Sequence, residues 1–151
     1  MIRDEIKAAT IAAMKGGDKE TTQTLRMVQS SIKNRDIEAR TGGAPNDDDQ
    51  LVTEVLQKMV KQRRESADIY RKNGREDRAA VEETEIAVIE RFLPQQLSDV
   101  EAEAKVREII TETGATSMKD MGRVMAMVKE RLGASIEPAR ASGLVKAALS
   151  S

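Results

Sequence analysis

Apolar residues recur at helical spacing through almost the whole chain. Ile2, Ile6, Ala9 and Ala13 fall on one face, which predicts an amphipathic helix from Ile2 to Lys15. Gly16-Gly17 ends it, and Asp18 is a good N-cap for a second helix running to about Ala39. The inner line of that helix is Leu25, Val28 and Ile32, with Thr21 beside it. The stretch TGGAPN, Thr41–Asn46, reads as a turn or mobile loop. The acidic run Asp47–Asp49 favours the start of a third helix, because negative charge complements the positive end of the helix dipole. Val52, Val55, Leu56, Met59, Val60, Ala67 and Tyr70 form its broad apolar stripe, and Asn73-Gly74 closes it. A fourth helix, about Asp77 to Leu93, is expected to bury Val81, Ile86, Ile89 and Phe92 or Leu93.

Pro94 breaks this pattern, since a proline pushes the residue before it out of the helical region. Ser98 and Glu101 then match a capping box, in which each side chain satisfies a backbone donor of the other. A domain boundary is therefore expected at Leu93–Leu97, dividing the chain into residues 1–93 and 94–151. Three shorter helices follow: Asp99–Thr113 closed by Gly114, Met118–Leu132 closed by Gly133, and Pro138–Leu149. Thr116 or Ser117 caps the second of these, and Pro138 takes a first-turn position where a missing N–H costs nothing. The expected fold class is all-α: a four-helix N-terminal unit and a three-helix tail.

Composition narrows the chemistry. One Phe, one Tyr, no Trp and eight Met leave the core to aliphatic residues and methionine. Cysteine and histidine are absent, which excludes disulfides, thiol nucleophiles, zinc fingers and histidine bases. There is no glycine-rich phosphate loop and no nucleophile elbow. No intrinsic catalytic centre, metal or cofactor is expected. The start of the chain lacks an apolar secretion segment and no run approaches a membrane span, so a cytoplasmic protein without membrane contact is expected. The net charge of −1 is unevenly spread: Ala79–Thr113 holds three basic and nine acidic residues, Gly114–Ser151 six basic and three acidic. Binding to nucleic acid, if any, must come from a local patch.

Two groups of side chains stand out. Arg63 falls inside the apolar stripe of the third helix, and Asp36 sits on the Leu25–Ile32 face of the second. A charge in such a place needs a partner, so Arg63 is expected to pair with Asp36 or with an acid of the fourth helix such as Glu85. Lys58, Lys61 and Lys72 lie away from the stripe and read as solvated. In the tail, Met118, Met121, Met125, Val128 and Leu132 share one face, either core or an adaptable groove for a protein partner. Lys119 and Arg123 lie on the opposite side at a spacing that can straddle neighbouring phosphates. Gly122 suggests close approach by a helix or a ligand backbone. Lys129, Arg131, Arg140 and Lys146 add charge to the same segment. The tail has no aromatic residue to stack a base, so contact would be to backbone and shape, with no DNA sequence readout.

The stretches TLRMVQSSIKNRDIE, QKMVKQRRESADIYRKNGREDRA, RFLPQQLSD and ETGATSMKDMGRVM together closely resemble the YqeY family over essentially the whole chain. Members of that family share a C-terminal helical module with GatB, a subunit of the glutamine-dependent tRNA amidotransferase. The resemblance implies a two-part helical protein whose tail is similar to a module that engages the body of tRNA. It implies an accessory factor touching tRNA, the amidotransferase or other translation-related proteins. A protein-interaction adaptor, or a component of a carbon–nitrogen ligase that needs partner subunits, are the alternatives. GatB carries its chemistry in a separate domain, and the glutaminase is another subunit. One departure bears on RNA contact: the small basic turn of the type KGRADG before the last helix is replaced by GASIEPARASG, Gly133–Gly143.

Overall fold

The computed structural model describes residues 1–150 of the chain, and the described residues form helices without a strand. They divide into two compact units, one ending at Leu93 and the other beginning at Pro94. The first unit holds α1 (Ile2–Lys15), α2 (Lys19–Ala39), α3 (Asp48–Lys72) and α4 (Glu76–Glu90). The second holds α5 (Asp99–Thr113), α6 (Met121–Leu132) and α7 (Pro138–Ser150), with 3₁₀ turns at Met118–Asp120 and Gly133–Ser135. No helix among the described residues is long and apolar enough to cross a membrane.

The first unit buries the faces that the helical periodicity marks. Ile6 of α1, Leu25, Val28 and Ile32 of α2, and Val52, Val55, Leu56, Met59 and Val60 of α3 join Ile86, Val88 and Ile89 of α4 in one core. Asp18 caps α2 by accepting from the Thr21 N–H at 3.1 Å, and Asp47 caps α3 by accepting from the Asp49 N–H at 3.1 Å. Four threonines are also buried. Thr10, Thr22 and Thr24 return their hydroxyls to carbonyls of their own helices, so these side chains enter the interior without an orphaned donor. The Thr10 hydroxyl also accepts from Gln29 Nε2 at 2.7 Å, tying α1 to α2.

Two expectations for this unit need correction. Val81 is exposed, not buried. Val88, seven residues on along the same face, lies in the core, so the covering helices reach the later half of that face and not its start. The second concerns Arg63: of its two expected partners the structure has Glu85 and not Asp36. The Asp36 carboxylate receives both terminal nitrogens of Arg3, at 2.8 and 2.9 Å, while Arg3 also donates to Asp48 at 2.8 and 3.2 Å. Arg63 instead donates from Nε to Glu85 of α4 at 2.9 Å and from Nη1 to the Met59 carbonyl at 3.3 Å. The residue of α2 that Arg63 reaches is Met27, whose Sδ is 3.9 Å away. Asp36 lies nine residues farther along α2, about 13 Å at 1.5 Å per residue, beyond the reach of the guanidinium.

The tail has its own core, formed by Ala102, Val106 and Ile109 of α5, Val124 and Val128 of α6, Ile136, and Ala141, Val145 and Leu149 of α7. Ser98 and Glu101 form the reciprocal capping box, and Gly114 ends α5 in the left-handed region at φ 69°. The segment leading into α5 is tied to the α6–α7 connection. Leu97 N–H donates to the Ser135 carbonyl at 2.8 Å, and Gln96 Nε2 to the Ala134 carbonyl at 2.8 Å. The stretch Gly133–Gly143 is therefore mostly not a turn. Only residues 133–137 connect the helices, Ile136 is buried, and Pro138–Gly143 is already α7.

Candidate nucleic-acid interface

The geometry of α6 decides which tail cations can act together. Val124 and Val128 are fully buried and define its inner face, while Met121, Met125, Met127 and Leu132 are half-buried and pack around the same core. The inner face is thus rotated from the expected methionine line towards Val124 and Met127. Met118, in the 3₁₀ turn ahead of the helix, is 41% exposed. Met121 and Met125 are half-buried at the edge of that core.

At 100° per residue, Gly122, Ala126 and Lys129 fall on the side away from Val124 and Val128, with Arg123 and Glu130 beside them. All five are exposed. A Cβ placed on Gly122 would meet nothing within 4 Å, so no neighbouring helix requires a glycine there. The expected close approach by a helix is not found, and the surface above Gly122 is open.

The cations divide into two groups. Lys119, Lys129 and Lys146 are exposed and make no ion pair with any described residue. The hydroxyl of Ser150 lies 3.6 Å from Met118 Sδ, so the end of α7 that carries Lys146 meets the 3₁₀ turn that carries Lys119. The arginines are engaged. Arg123 pairs with Asp120 at 3.3 Å. Asp120 accepts from the backbone N–H groups of Thr116 and Ser117, and these bonds hold its carboxyl below the usual range, assisted by Arg123. Arg131 points from the other side of α6 to Glu112 of α5. Arg140 donates to the Leu97 carbonyl at 2.9 Å and pairs with Asp99, fastening α7 to the start of α5. Arg131 and Arg140 are thus explained by contacts inside the tail.

Of the residues singled out from the sequence, Gly122 and Lys129 share the outer side of α6 with Arg123 beside them, Lys119 is exposed in the turn three residues before Gly122, Lys146 is on the end of α7 that meets that turn, and Arg131 and Arg140 lie apart. What the sequence did not show was the set of acidic partners. Asp99 and Glu112 stand 41 and 19 residues from the arginines they bind, counting along the chain, so no local spacing marks them. Asp120, three residues before Arg123, carried a signal that could have been read.

Comparison with known proteins identifies the family. The family model described as "Yqey-like protein" matches residues 3–149. "Altered inheritance of mitochondria protein 41, mitochondrial" of Lachancea thermotolerans is 32% identical over 113 residues, covering 74% of this chain and 57% of that protein. The protein of the same name from Vanderwaltozyma polyspora is 31% identical over 127 residues, covering 80% and 64%. That from Clavispora lusitaniae is 30% identical over 137 residues, covering 89% and 75%. The chain thus spans less than two thirds of the first two relatives' own length. With all but two residues at either end of the chain inside the matched range, the chain belongs to the YqeY-like protein family.

Proposed function

We propose that this protein is a non-catalytic accessory factor that contacts RNA backbone through its tail, in association with tRNA or the glutamine-dependent tRNA amidotransferase system. The observation that carries the reading is the open surface around Gly122, bordered by the unpaired Lys119 and Lys129. Small residues at Gly122 and Ala126 leave room for a phosphate backbone to lie close to the helix, and flanking ammonium groups supply its counter-charge. The lack of an aromatic residue in the tail fits recognition of charge and shape without base stacking. The link to amidation rests on the resemblance of the tail to GatB.

Electrophoretic shift with total tRNA across a salt series tests this reading. Affinity should fall steeply with salt, and a Lys119→Glu/Lys129→Glu variant should lose most of it. No shift at low salt, or a variant that binds like the parent, refutes it. The compartment belongs to the same proposal: the cytoplasm expected from the sequence is separated by fractionation from the mitochondrion named for the relatives.

A further inference from the structure

The outer side of α2 carries a basic residue at every seventh position: Lys19, Arg26, Lys33 and, at the C-cap, Arg40. Gln23, Ser30 and Ile37 fill the positions between them, and all seven side chains are exposed. A seven-residue step turns the helix by only about 20° from its starting direction, so the row stays on one side. At 1.5 Å per residue it runs for about 30 Å, with a cation roughly every 10 Å. Gln23 and Ser30 halve that interval, giving a side-chain donor about every 5 Å as far as Lys33.

Lys19, Arg26 and Lys33 are not spent on carboxylates within the protein, while Arg40 acts at longer range on the Asp36 carboxyl one turn earlier. Arg3, Arg35, Arg63 and Arg64 of the same unit each pair with a carboxylate. Lys19, Arg26, Lys33 and Arg40 make no ion pair with any described residue. The Arg26 guanidinium rests 3.6 Å from Met14 Sδ of α1, which sets it at the middle of the row. Beside it a groove between α1 and α2 adds Lys7 to Arg26 and Lys33. Arg3 and Asp36 in that groove are bound to each other, and Asp4 is the remaining acid lining it.

We infer that this face of α2, with Lys7 of α1, is a second contact surface for the sugar–phosphate backbone of a structured RNA, separate from the tail. Lysine, arginine, serine and glutamine side chains are the groups that bind phosphate and sugar, and here they form a straight track without an aromatic residue to read bases. An acidic partner helix would need a continuous apolar seam beside the charges, whereas the exposed apolar side chains there, Met14 of α1 beside Arg26 and Ile37 eleven residues farther along α2, are isolated from one another. A membrane-surface helix would need a broad apolar face open to lipid, whereas that face of α2 is buried in the core.

The test uses the full chain and a fluorescently labelled RNA hairpin of mixed sequence, titrated across a salt series. A Lys19→Glu/Arg26→Glu/Lys33→Glu variant should bind at least about tenfold more weakly and lose about two to three from the slope of log affinity against log salt. A Lys19→Gln/Arg26→Gln/Lys33→Gln variant should do the same in milder form, and keeps the test valid should the charge reversal disturb folding. Wild-type affinity in either variant, with helical circular dichroism retained, overturns the inference. Binding to phosphatidylglycerol vesicles without binding to the hairpin also overturns it. The Lys119→Glu/Lys129→Glu variant separates the two surfaces. Loss of binding in the α2 variants alone supports this inference and refutes the tail reading, and loss in the tail variant alone does the reverse.

Discussion

Arg63 and Glu85 face each other across the α3–α4 hairpin, with Nε 2.9 Å from Oε2 and the arginine side chain only 13% exposed. The arginine lies within an otherwise apolar stripe because three neighbours receive it: the carboxylate, the Met59 carbonyl and the Met27 sulfur. Removing one member leaves the other partly desolvated. Glu85→Ala should destabilise the protein by about 1–3 kcal/mol, and Arg63→Met/Glu85→Leu should recover most of that loss, because filling the space with apolar groups removes the need for a pair. Urea unfolding of the single and double variants measures the difference. A double variant less stable than Glu85→Ala would contradict the account. Burial, with Glu85 adding, pushes the Glu82 carboxyl upward while Arg63 opposes the shift, so Glu82 should titrate higher in Arg63→Met.

Asp36 leads to a prediction about pH. Hydrogen bonding to Arg3 holds its carboxyl below the ordinary aspartate value of 3.8. A depressed value in the folded state means that stability is present above the unfolded value and is lost as pH falls through the folded one. Asp36→Asn should therefore be less stable than the parent at neutral pH, and the gap should narrow on acidification below about pH 4. Denaturant midpoints at neutral and acid pH test this. A gap that stays constant or widens in acid would show that the Arg3–Asp36 contact does not supply the difference.

The choice between Asp36 and Glu85 as the partner of Arg63 marks where local spacing stops being informative. Helix positions, the break at Pro94, the capping box of Ser98 and Glu101 and most buried faces follow from local spacing, and the structure has them. A charged residue on a core face also announces that it needs a partner. Which partner it finds depends on how far helices slide along one another, and that is not a local quantity. Asp36 meets Arg3 because the end of α2 lies beside the starts of α1 and α3. The same limit holds in the tail, where Arg131 and Arg140 find partners on α5 that are distant in sequence. The basic row on α2 was open to reading by its seven-residue step. The apolar line of the same helix, Leu25, Val28 and Ile32, does not point to it.

The ends of α5 should matter more than their exposure suggests. Ser98→Ala removes the acceptor for the Glu101 N–H, present at 3.2 Å, and should cost the tail about 1 kcal/mol. Gly114 adopts φ 69°, where a side chain is strained, so Gly114→Ala should cost roughly 1 kcal/mol although an added Cβ would touch nothing. Hydrogen exchange resolves both effects within the tail. Amides of α5 should exchange faster in either variant, and unchanged exchange would show that its ends do not limit its stability.

Gly122 allows the structural and functional roles of one residue to be separated. It lies within α6 at negative φ, and a Cβ there would meet nothing within 4 Å. Alanine is the better helix former by about 1 kcal/mol, so Gly122→Ala should stabilise the tail by up to that amount. Gly143 of α7 is in the same situation: helical, exposed and without a Cβ contact. Gly143→Ala should therefore raise the melting temperature in the same way. The two variants part in RNA binding. If a phosphate backbone lies against α6, the added methyl at residue 122 should weaken binding several-fold despite the gain in stability, while the change at residue 143 should leave it intact. Melting curves and tRNA titrations of the two variants side by side decide the matter. Equal stabilisation with equal, undiminished binding would mean that nothing approaches the helix at Gly122.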